Sequence, residues 1–100
     1  MITHDRSIEL IQESIRGLRR AGLLEKDLTV DEATVLLGMG SELDSVAFVT
    51  LISDLEDRLS RETGSDVFLV LDELHEFNDE NPSLTVRSLA PYLVELAGRS

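Results

Sequence analysis

A chain of 100 residues, 42% apolar but only 4% aromatic, has room for one domain around an aliphatic core of Leu, Ile and Val. The absence of cysteine excludes disulfides, thiolate catalysis and cysteine-bound zinc. Twenty acidic against nine basic residues, a net charge of −11, repel nucleic-acid phosphates and anionic membrane surfaces and suit partners with basic patches.

Residues 1–6 lack the apolar run of a signal peptide, and no stretch is apolar for long enough to span a bilayer, so a cytoplasmic location is expected. Ile8, Ile11, Ile15 and Leu18 recur at intervals of three and four, which predicts an amphipathic helix over residues 5–21. Thr3, Asp5 and Ser7 are candidate N-caps. Arg16, Arg19 and Arg20 complement the negative pole at the far end, and Gly22 is placed to stop the helix.

Residues 23–44 read as a long loop, unusually rich in apolar residues: Leu28, Val30, Val35, Leu36, Leu37, Met39 and Leu43. Those side chains require it to lie across the core. Gly38 and Gly40 punctuate it, and Ser41 to Asp44 has the S-x-x-D spacing that often precedes a helix.

A second helix is expected from Ser45. Val46, Val49, Ile52, Leu55 and Leu59 repeat at three and four, Phe48 and Leu51 widen the stripe, and Gly64 can end it. Val67, Phe68, Leu69, Val70 and Leu71 form an apolar run that by itself fits a buried strand. Its continuation through Leu74 and Phe77, with no second strand to pair with, favours a short third helix. Residues 78–83 read as a loop.

The last helix, capped by Thr85 or Ser88, carries Val86, Leu89, Leu93 and Leu96. Their burial contributes at most ~6–12 kcal/mol before the entropy of ordering is subtracted. Pro91 removes one backbone hydrogen bond, so this helix is expected to start late, near Ser88, or to bend.

Charge is unevenly spread: residues 1–26 hold five basic and four acidic side chains, residues 41–80 two basic and twelve acidic. By itself that describes a solvated surface kept soluble by repulsion. The chemistry-bearing segment is residues 37–46, which ends in Asp44-Ser45-Val46 where the apolar loop enters the acidic helix. A serine at the start of a helix keeps its hydroxyl exposed, and the positive pole favours a phosphodiester there. Asp44 can present a carboxylate to a modifying enzyme and its metal. Taken alone, the tripeptide is better explained by Ser45 acting as an N-cap.

Residues 37–59 resemble the central motif of the acyl carrier protein family, Asp44-Ser45-Val46 matching its Asp-Ser-Leu signature. Helix order, the apolar first loop, chain length and acidity extend the resemblance over most of the sequence. It implies an all-α four-helix bundle, one domain over residues 1–100, with a long apolar loop between helices 1 and 2 and a short helix 3. Ser45 would receive 4′-phosphopantetheine from coenzyme A through a separate, magnesium-dependent phosphopantetheinyl transferase. The arm's thiol would then carry acyl groups as thioesters to partner enzymes of fatty acid, lipid or related biosynthesis. Such a chain is a carrier and not an enzyme, it is expected to be a monomer, and its reactive sulfur is imported.

In that family, acidic side chains of the second helix meet Arg and Lys patches on partner enzymes. Asp44, Glu56 and Asp57 fall at matching positions, with Val46 beside them. Ala47 and Thr50 stand where typical fatty-acid carriers have acidic residues, and the stretch from Leu59 to Thr85 is longer and more hydrophobic than usual, which implies a specialised carrier. If cargo folds back into the bundle, Phe48, Ile52, Val70 and Leu74 are candidate pocket residues, or equally plain core.

Other constellations are weak. His4 and His75 lie far apart in sequence, and His75 between Asp72 and Glu76 fits a solvated face better than a metal site. Residues 78–81 lack the ligand alternation and central glycine of a calcium loop. No nucleophile–base pair, phosphate-binding glycine loop or basic patch is evident. A second functional reading is an unmodified, carrier-like acidic adaptor that binds a basic protein partner through helix 2.

Overall fold

The computed structural model describes residues 2–24, 28–37, 43–70, 73 and 84–99, and of Leu37 and Ser45 the backbone only. These residues are mostly helical. In chain order they form α1 (His4–Arg20), β1 (Val35–Leu37), α2 (Ser45–Thr63), β2 (Leu84–Thr85) and α3 (Val86–Arg99). The three helices bear out the helical class. The two-stranded sheet was not expected.

Helix α1 is bounded as its sequence predicts. Thr3 Oγ1 accepts the Arg6 amide at 3.1 Å. At the other end the Leu23 amide reaches Leu18 O (2.9 Å) and the Gly22 amide reaches Arg19 O (3.0 Å), with Gly22 at φ 81°. That is the paired closure in which glycine takes the left-handed position at least cost. Leu10, Ile11, Ile15 and Leu18 are buried, and Ile8 only partly.

The apolar stretch after α1 does lie across the core, and Gln12 fixes it there. Its Nε2 donates to Leu28 O (3.0 Å) and its Oε1 accepts the Val30 amide (2.7 Å), so one side-chain amide substitutes for a neighbouring strand. Leu24, Val30, Leu36 and Leu43 are buried.

This stretch is not all loop. β1 pairs antiparallel with β2, Val35 opposite Thr85 and Leu37 opposite Leu84, with an irregularity between. The Val86 amide then donates to Thr34 O and the Arg87 amide to Glu32 O, both at 3.0 Å. The first amides of α3 are therefore satisfied by the 32–34 backbone, which lets the helix begin at Val86 and not near Ser88. Pro91 lies inside it and leaves the Arg87 carbonyl without its i+4 amide. Val86, Leu89, Leu93 and Leu96 are buried as expected, joined by Tyr92.

Helix α2 buries Ala47, Phe48, Leu51, Ile52, Leu55 and Leu59. At 3.6 residues per turn these form one arc, and Val46 falls on its far side. Val46 and Val49, predicted to begin the buried stripe, are accordingly 63% and 59% exposed. Gly64, at φ 75°, closes the helix.

After Gly64 the chain turns back along α2. Residues 65–70 are neither helix nor strand, so the expected third helix does not begin at Val67. Burial alternates instead, Val67 and Leu69 inward, Phe68 and Val70 outward, the period of extended chain. Polar side chains hold this strap: Ser60 Oγ accepts the Val67 amide (2.9 Å), Glu56 Oε2 the Leu69 amide (3.0 Å) and Tyr92 Oη the Val70 amide (3.2 Å). The rest of the expected third helix, Glu73 apart, and the 78–83 loop lie outside the described residues. Among the described residues no helix is long and apolar enough to cross a membrane.

Candidate functional site

The junction at Asp44 is built by the aspartate. Asp44 is extended (φ −84°, ψ −179°); its Oδ1 accepts the Ala47 amide at 2.7 Å and its carbonyl the Phe48 amide at 2.9 Å. Asp44 is thus the N-cap and Ser45 the first helical residue. The competing reading of Ser45 as the cap is corrected. No acidic side chain occupies the first turn of α2, so among the described residues the Asp44 cap is what offsets its positive pole.

Flanking side chains anchor the junction from below. Leu43, Ala47 and Phe48 are buried while Asp44 and Val46 face solvent. Gly38, Met39, Gly40, Ser41 and Glu42, the loop half of the motif, lie outside the described residues.

The expected docking residues are not equivalent. Asp44, Val46 and Asp57 are exposed, Asp57 paired with Arg61 at 2.5 Å. Glu56 is half-buried and committed to the Leu69 amide. Val49 adds a second exposed apolar side chain close to Val46.

Of the four pocket candidates, Phe48 and Ile52 belong to the core, Val70 is 45% exposed on the outer side of the strap, and Leu74 lies outside the described residues. Grooves of about 670, 300 and 200 Å³ open instead beside α1, and none is lined by these residues.

Two constellations escaped the sequence reading. Tyr92, fully buried, donates to Glu73 Oε1 at 3.1 Å, and Arg99 Nη1 donates to the same carboxylate at 3.1 and 3.3 Å. Burial foremost pushes the Tyr92 phenol above its ordinary pKa. The other is a basic groove lined by Arg16, Arg19, Arg20, Arg58 and Glu13. The first three arginines were visible at helical spacing; Arg58 joins them only through the packing of α2 on α1. His4, one of the two histidines, pairs with Glu32 at 2.9 Å; Asp72, His75, Glu76 and residues 78–81 are outside the described residues.

Compared with family models, curated proteins and solved structures, the chain matches none.

Proposed function

We propose that this chain is a carrier protein of the acyl carrier type, bearing 4′-phosphopantetheine on Ser45. The observation that carries the reading is local: Ser45 is the first residue of α2, with the capping work taken over by Asp44. A serine at that place serves no cap, and the pole and first-turn amides of α2 suit a phosphodiester on its oxygen. The bound group would supply the thiol that holds an acyl chain as a thioester. Asp44, adjacent and exposed, supplies a carboxylate to the transferase. Since that enzyme provides the chemistry, the chain needs no base of its own and acts as a shuttle, not an enzyme.

On this reading the fold is a single-domain four-helix bundle, and the protein is a cytoplasmic monomer. Asp44, Val46, Val49 and Asp57 form the face presented to partner enzymes with basic patches, the two valines adding apolar contact at its centre. Fatty acid, lipid or related biosynthesis is the setting.

The test is incubation with coenzyme A, magnesium and a permissive transferase, read by intact mass. One phosphopantetheine should be gained by the wild type and by Ser41→Ala, and none by Ser45→Ala. A wild type left unmodified by several transferases overturns the proposal and favours the adaptor.

A further inference from the structure

In a chain with 20 acids and nine bases, an arginine without a carboxylate is unexpected. Arg6, Arg58, Arg61 and Arg99 all form ion pairs. Arg87 at the start of α3 and Arg16 and Arg20 on α1, all exposed, form none with the described residues; only the last two come together. They are four apart on α1 and so share a face, where like charges repel. Arg58 joins them from α2, held by Asp54 Oδ2 (2.7 Å) and Glu13 Oε2 (3.4 Å). Its guanidinium lies over Gly17, where a Cβ would come within 3.7 Å of Nη2. With Arg19 these cations surround an open groove of about 670 Å³. The helix pole accounts for Arg19 and Arg20 in the last turn, but it fades over one turn and so does not account for Arg16, while Arg58 is placed by Asp54 and Glu13.

We propose that this groove docks an acidic surface of a partner protein, whose carboxylates insert between Arg16, Arg20 and Arg58. Planar guanidinium groups match carboxylates bidentately. Phosphate is the poorer occupant, because the groove flanks the carbonyl end of α1, the pole that disfavours concentrated negative charge. The net charge of −11 repels a uniformly anionic partner and selects one whose acidic cluster is local. The proposal is independent of any modification of Ser45.

The test uses the full chain and a fluorescein-labelled oligoglutamate peptide, followed by fluorescence anisotropy at low and near-physiological salt. Saturable, salt-sensitive binding is expected, weakened roughly tenfold in Arg16→Gln/Arg20→Gln and largely kept in Arg16→Lys/Arg20→Lys. Amide shifts on titration should centre on residues 16–20 and the Arg58 side chain. Absence of saturable binding at low salt, or affinity indifferent to the glutamine pair, overturns the proposal. So does tighter binding of inorganic pyrophosphate or of phosphatidylserine vesicles than of the peptide. Circular dichroism of the variants separates lost docking from lost fold.

Discussion

Asp44 caps the helix that Ser45 begins: its Oδ1 lies 2.7 Å from the Ala47 nitrogen, so the aspartate carries the structural duty at this junction. Aspartate and asparagine cap about equally well, whereas alanine does not cap. Asp44→Ala should cost about 0.5–2 kcal/mol in urea unfolding and Asp44→Asn only a few tenths. If Asp44 also serves the transferase, both variants should slow modification of Ser45, measured by mass against time. Equal stability losses in the two variants would remove the capping assignment.

Glu56 tethers the strap through the Leu69 amide. Glu56→Ala leaves the half-buried Leu69 amide without its acceptor, at a cost of about 1–3 kcal/mol, whereas Glu56→Gln keeps an oxygen there. Hydrogen exchange at the Leu69 amide should accelerate in the alanine variant and stay near wild type in the glutamine one. Asp57→Asn, which breaks only the exposed pair with Arg61, should change stability by about 0–1 kcal/mol.

Tyr92 ties the strap to α3 from inside. Tyr92→Phe removes both the acceptor of the Val70 amide and the donor to Glu73, a loss of about 1–3 kcal/mol. The hydroxyl also sets an alkaline limit. Because burial raises the folded phenol's pKa, the unfolded chain releases this proton first. The stability tied to the phenol is complete below about pH 10 and declines as pH rises through the folded value. The phenylalanine variant should lack that part of the alkaline decline in urea midpoints.

Helices α1 and α2 were legible because each buries one stripe and ends on a readable stop: Gly22 and Gly64 both adopt the positive φ that their positions suggest. The sheet was not, since Leu84 and Thr85 form a strand too short to show a pattern, and its partner is far away in sequence. The strap was misread because apolar residues occupy both of its faces; the outward Phe68 and Val70 hide the alternation that would have distinguished it from a helix. The same ambiguity placed Val46 and Val49 on the buried stripe of α2, although the small Ala47 is the residue at the core. At the candidate site, the order of Asp44 and Ser45 was plain. Which of them caps is a matter of backbone geometry, and the arrival of Arg58 beside Arg16 depends on tertiary packing.

Glu62 ties the end of α2 to the start of α1. Arg6 Nε donates to its Oε2 at 2.7 Å, and that hydrogen bond holds the carboxyl below its ordinary range against the opposing pull of partial burial. The unfolded chain therefore binds this proton more readily than the folded one. The stabilisation is present above the ordinary glutamate pKa and is lost as pH falls through the lower folded value. For so solvated a pair it amounts to about 0–1 kcal/mol. Urea midpoints compared at about pH 6 and pH 3 should fall less in Glu62→Gln than in wild type. Identical acid sensitivity would assign that limb to other carboxyls.

Ser14 and Ser7 are both fully buried on the core side of α1, yet they should respond oppositely to alanine. Ser7 Oγ donates to His4 O at 2.6 Å, whereas Ser14 Oγ has no hydrogen-bond partner among the described residues. A buried hydroxyl without a partner carries a desolvation cost that nothing offsets, and alanine is also the better helix former. Ser14→Ala should therefore raise stability by about 1 kcal/mol, seen as a higher urea midpoint at unchanged slope. Ser7→Ala removes a made bond and should lower stability by a similar amount. If Ser14→Ala proves destabilising instead, the hydroxyl has a partner in solution and the core of α1 is wetter than its packing indicates.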